Sequence, residues 1–67
     1  MVIALKQRTQ DGYVWDFIES TGCKIKNDEH DRMVSLIYYR AFLEPKEVMA
    51  ENIAYLAING NEFIIKR

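Results

Sequence analysis

Asn27-Asp28-Glu29-His30-Asp31-Arg32-Met33-Val34-Ser35-Leu36-Ile37-Tyr38-Tyr39-Arg40-Ala41-Phe42 is the stretch on which the fold class turns. Its apolar residues Met33, Val34, Ile37, Tyr38, Ala41 and Phe42 recur with the spacing of one broad helical stripe. A strand is the rival reading, because Val34, Ile37, Tyr38, Tyr39 and Phe42 are all good sheet formers. What precedes them decides for a helix. Asp28 is a favoured N-cap residue, and Glu29 and Asp31 sit well against the positive end of a helix dipole. In that helix Tyr39 falls on the opposite side with Arg32, Leu36 and Leu43. A helix apolar nearly all round calls for cover on both sides.

Downstream, Glu44-Pro45-Lys46-Glu47 reads as a second helix start, with proline in the first turn where its missing N–H costs nothing. Val48, Met49, Asn52, Ile53 and Leu56 then share one face, and Ala50, Ala54 and Ala57 are strong helix formers. Asn59-Gly60 is either a left-handed helix stop or a hairpin turn, and the alanines favour the stop. Glu62–Arg67 closes the chain as a strand.

Upstream, Val2–Arg8 predicts a strand, and Asp11-Gly12 a two-residue hairpin turn. Residues 13–19 have two readings. As a strand they put Tyr13, Trp15 and Phe17 on one face, opposite Gln10, Arg8 and Lys6 respectively, with Leu5 and Ile18 together on the reverse. As a helix, Asp11 would cap it and Gly22 would end it. The turn and the aromatics favour the hairpin. Cys23–Lys26 alternates and adds a short edge strand guarded by its lysines. The expected fold is therefore α+β: a small, mainly antiparallel sheet of N-terminal hairpin and C-terminal strand, with two helices packed on one face.

With 67 residues the chain makes one domain, residues 1–67, and its 49% hydrophobic content is enough for a core with surplus. Surplus aromatics on a small domain tend to mark an interface. Cys23 is the only cysteine, which fits a reducing compartment and predicts a cytoplasmic protein. Met1–Leu5 is too short for a signal-peptide apolar region, and no stretch approaches the roughly 20 apolar residues of a membrane helix. The net charge of −1 supplies no global field for nucleic acid or an anionic membrane.

Four constellations bear on chemistry. Lys6, Arg8, Tyr13, Trp15 and Phe17 form a basic–aromatic ladder. The plainest reading makes Trp15 and Phe17 core anchors with Arg8 and Lys6 at the rim; the functional readings are a protein-binding patch or a face that stacks bases. Asp28 to Asp31 offers at most two ligands in one direction, fewer than zinc takes, so no metal and no cofactor is expected. Cys23 and His30 lack an orienting third group and an oxyanion-hole motif. Glu44, Glu47 and Glu51 share a helical face that is best read as solvated.

No segment matches an assignable family motif. The expectation is a non-catalytic protein-binding module, an inhibitor or adaptor, that buries an aromatic–aliphatic patch against another protein or a second copy of itself. Its candidate interface residues are Arg8, Trp15, Leu36, Tyr39, Arg40 and Leu43, since aromatics and arginine dominate such surfaces. The alternative is a small nucleic-acid-binding regulator using the ladder on the sheet face, acting as a monomer or dimer.

Overall fold

Alternation prevails over helical spacing along the whole chain. The computed structural model describes residues 1–67 as seven strands and a single three-residue 3-10 turn, Ala50–Asn52. The strands are β1 (Val2–Thr9), β2 (Gly12–Glu19), β3 (Gly22–Asn27), β4 (Met33–Tyr39), β5 (Lys46–Met49), β6 (Ile53–Ile58) and β7 (Asn61–Glu62). They pair antiparallel in two sheets of order β2-β1-β6-β7 and β3-β4-β5. The expected α+β fold with two helices is thus corrected to an all-β fold.

Both expected helices overlap strands that carry a bulge. On β4 the register steps from Lys26↔Ser35 to Asn27↔Met33, leaving Val34 as an extra residue. This bulge turns Met33 to the side of Leu36 and Tyr38, and all three are buried. On β6, Lys6↔Tyr55 is followed by Gln7↔Ile53, leaving Ala54 over. Ile53 and Leu56 therefore both reach the core. Apolar residues three apart share a face on a helix, and they share one equally on a strand with one bulge between them.

The predicted cap residues act in turns instead. Asp28 Oδ1 accepts the backbone N–H groups of His30 (2.8 Å) and Arg32 (2.9 Å), closing the loop from β3 to β4. The Arg32 N–H, more than any other group, holds the Asp28 carboxyl below its ordinary range. An aspartate that caps a helix does so by the same reach to nearby N–H groups, so the signal serves either structure. The expected helix stop at Asn59-Gly60 is a hairpin turn between β6 and β7. Asn59 (φ 52°) and Gly60 (φ 81°) both occupy the left-handed region that I′-type turns require. Glu44, Glu47 and Glu51 share no helical face.

The first hairpin turns on Gln10 and Asp11, one residue earlier than expected, with Gly12 at φ 124°. Arg8 therefore faces Tyr13, Lys6 faces Trp15, and Ala4 faces Phe17. Because this register differs from the expected one by an even step, every side chain keeps its face. The predicted C-terminal strand is confined to Asn61–Glu62. Past it, the Phe63 N–H donates to Leu56 O (2.8 Å) and the Met33 N–H to Lys66 O (3.0 Å), so the tail ties β6 to β4 across the two sheets.

Between the sheets lies one core: Ile3, Leu5, Ile18, Ile53 and Leu56 from the first, Met33, Leu36, Tyr38 and Val48 from the second, with Ala50 at the 3-10 turn. Ser20 carries the chain from one sheet to the other. Its Oγ lies 2.6 Å from the Gly22 carbonyl and 2.9 Å from the Tyr39 carbonyl, which share its one proton, while its N–H donates to Met1 O (2.8 Å). Ser35, on the outer face of β4, is also buried and donates to Glu47 Oε2 at 2.6 Å. This bond, helped by Lys26 at 3.6 Å, holds the Glu47 carboxyl below its ordinary range. No helix is long and apolar enough to cross a membrane.

Two expected outcomes follow from this packing. Leu36→Ala should cost about 3 kcal/mol of stability by cavity formation, whereas Leu43→Ala should stay within about 0.5 kcal/mol, both read by urea unfolding. Glu47, with its folded pKa depressed, contributes stability that is present above the unfolded value and lost as pH falls through the folded one. Unfolding curves from about pH 6 to about pH 3 should therefore show wild type and Ser35→Ala converging as the carboxyl protonates. A stability gap that stays constant across the series would remove the Ser35–Glu47 bond as the cause.

Candidate functional site

On β1, Ile3 and Leu5 face the core, so Ala4, Lys6 and Arg8 face outward. The β1–β2 register carries Tyr13, Trp15 and Phe17 to that same outer face, and the β1–β6 register adds Tyr55 and Ala57. No layer covers it. Trp15 is 49% exposed, Tyr13 59% and Phe17 70%. The reading of Trp15 and Phe17 as core anchors is corrected, since Ile18 is the one residue of β2 that enters the core.

The rings form a connected surface. Trp15 and Phe17, two apart on one strand, stack with planes 6° apart and centroids 5.9 Å apart. Trp15 also meets Tyr55 at 5.4 Å and 59°, reaching across β1 to do so. Lys6 lies between those two rings in the strand order. Its Nζ sits 4.6 Å from the Tyr13 centroid and 5.6 Å from that of Trp15, a cation–π arrangement worth ~0.5–1 kcal/mol at an exposed site. Arg8 is also engaged: its Nη1 donates to the carbonyls of Glu51 (2.9 Å) and Ile53 (3.3 Å). Arg67 Nη2 donates to that Ile53 carbonyl as well. The face is thus aromatic at its centre, with its two cations already partnered.

The five ladder residues Lys6, Arg8, Tyr13, Trp15 and Phe17 come together as one site. The six candidate interface residues do not. Arg8 and Trp15 belong to the outer face of the first sheet, while Leu36, Tyr39, Arg40 and Leu43 belong to the second sheet and its loop. Leu36 is 0% exposed and offers nothing to a partner, a correction that follows from strand alternation placing it with Tyr38 rather than with Tyr39. Arg40 lies with its guanidinium 5.5 Å from the Tyr38 ring and donates to Glu44 O at 3.4 Å. Burial pushes the Tyr38 phenol above its ordinary range, and the Arg40 charge opposes that shift.

Tyr39 and Leu43 are exposed, and beside them Phe42 stands fully in solvent at φ 62°. Tyr55 was not among the expected residues. Reading Ile53–Ile58 by alternation puts Tyr55 and Ala57 on one side against Leu56 and Ile58 on the other, which is the signal that identifies it. Three or more His, Cys, Asp or Glu side chains nowhere gather in a metal-holding group. Two shallow depressions of about 140 and 190 Å³ lie along the tail, lined by Met33, Phe63 and Lys66 and by Tyr55, Ile65 and Arg67 respectively. Both fall short of the ~300 Å³ typical of small-molecule sites.

Compared with protein-family models, curated proteins and solved structures, the chain matches none.

Proposed function

We propose that this chain is a non-catalytic protein-binding module, a small inhibitor or adaptor of the cytoplasm, that works by burying the outer face of its first sheet against a partner. The observation that carries this reading is the contiguous exposure of Tyr13, Trp15 and Phe17, joined to Tyr55 by ring contacts. Rigid aromatic side chains bury large area for little lost rotamer freedom, and they dominate the energetics of protein interfaces. Their mounting on a β-hairpin preorganises them further. The uncrosslinked Cys23 agrees with a reducing compartment.

A second reading, single-stranded nucleic acid stacked on the same rings, draws on the flat Trp15–Phe17 pair. Electrostatics favours the protein partner. Phosphate binding relies on free cations and a positive field, whereas the net charge is −1, Lys6 lies over aromatic rings and Arg8 is held by carbonyls.

Affinity capture from source-cell lysate after nuclease treatment, repeated with Trp15→Ala and Phe17→Ala, tests the proposal. A protein retained by wild type should bind each variant about 30-fold more weakly, the scale of a hot-spot residue. Both variants should keep near-native unfolding midpoints, because neither ring is in the core. Capture that vanishes with nuclease would transfer the face to nucleic acid. So would quenching of Trp15 fluorescence by an oligothymidylate with steep salt dependence.

A further inference from the structure

The free edge of β2 differs from every other edge in the molecule. β2 is hydrogen-bonded to β1 alone, and none of the eight backbone hydrogen bonds outside the ladders uses a β2 residue. Which of its groups point outward follows from the neighbours. Met1 and Ser20 exchange both backbone bonds at 2.8 Å, so residues 1, 3, 5, 7 and 9 bond to Ser20, Ile18, Asp16, Val14 and Gly12. The bond from Asn59 N–H to Val2 O agrees, since it assigns the even residues of β1 to β6. The N–H and C=O groups of Tyr13, Trp15 and Phe17 are therefore directed away from β1 with no partner in the chain.

Other edges are guarded. β3 carries Lys24 and Lys26, β5 is four residues long and follows Pro45, and β7 has two residues. β2 has eight residues, no lysine and no proline, and its only charges are Asp16 and Glu19. An edge of this length and apolarity is a template for another strand.

We infer that the strand it accepts is β2 of a second copy, paired antiparallel about Trp15 in a two-fold dimer. Hydrogen bonding and charge together select this register. Only pairings that join outward-facing residues keep the two aromatic faces on one side of the combined sheet. Centring on Trp15 sets Trp15 against Trp15 and Tyr13 against Phe17, using the outward groups of all three residues. Val14 then lies opposite Asp16 of the second copy. Centring on Asp16 brings the two Asp16 carboxylates directly together, and like charges in that position destabilise a sheet. Centring on Val14 leaves Phe17 unpaired. The selected dimer has one eight-stranded sheet with an unbroken aromatic ladder across its two-fold axis.

This inference concerns the strand edge and does not rest on the function proposed for the face. Val14 allows the two to be tested apart, because it is 52% exposed and points to the side opposite Tyr13, Trp15 and Phe17. Sedimentation equilibrium of the full chain should give twice the mass of one chain at high concentration. Val14→Asp, placed against Asp16 at two symmetric positions, should weaken the dimer about tenfold, and Val14→Lys should strengthen it. Amide exchange should show protection of Tyr13, Trp15 and Phe17 that rises with protein concentration. A chain that stays monomeric at all concentrations overturns the inference, even if an extended segment of another protein adds at this edge. It is equally overturned by a dimer that responds alike to both substitutions, or by one that leaves those three amides unprotected.

Discussion

Strand β1 sets the parity of the first sheet, and the candidate surface depends on that parity. It lies between β2 and β6, hydrogen-bonded to both. Burying Ile3 and Leu5 obliges Ala4, Lys6 and Arg8 to face out. Antiparallel pairing then gives each neighbour no choice of face, because directly opposed residues share a side. Tyr13, Trp15 and Phe17 are exposed, with the half-buried Tyr55 on the same side, because two aliphatic side chains on the strand between them are buried.

A two-layer β fold has a single core between its sheets, and residues 1–67 place no third layer on either outer face. The second sheet meets this with mixed cover: Lys24, Lys26 and Glu47 lie over its outer side beside Ile37 and Met49, and the Ser35–Glu47 bond satisfies the one buried hydroxyl there. The first sheet meets it with aromatic rings. Those rings satisfy one another and Lys6, which limits their contact with water but does not remove it. The contrast between the two outer faces is the main chemical asymmetry of the molecule.

How much of this was legible in the sequence depends on what each signal constrains. The hairpin on β1 and β2 was readable, since Tyr13, Trp15 and Phe17 alternate and a glycine marks the turn. The even register error left the ladder intact. The region from Met33 to Ile58 was not readable by period. One extra residue at Ala54 puts Ile53 and Leu56, three apart, on the same side, so that a bulged strand imitates a helix. One at Val34 turns Met33 to the core with Leu36 and Tyr38 and so splits the helical stripe read there. Asp28 added to the imitation, because its hydrogen bonding to following N–H groups is common to caps and loops. A helical period places Leu36 on the surface and gives Tyr55 no place beside Trp15, whereas strand alternation buries the first and brings the second to the aromatic face.

By itself the sequence determined the hairpin, the common face of Lys6, Arg8, Tyr13, Trp15 and Phe17, and that no disulfide crosslinks this stretch of chain. These are local properties, set by alternation and turn chemistry within twenty residues of chain. Only the tertiary structure decided that the other side of that hairpin is the core side. Which face of an amphipathic hairpin is buried depends on what packs against it. Here Ile3, Leu5 and Ile18 meet Leu36, Tyr38 and Val48 from a sheet that is distant in sequence. The aliphatic face was claimed by a complementary surface of this chain, and the aromatic face was left to the solvent.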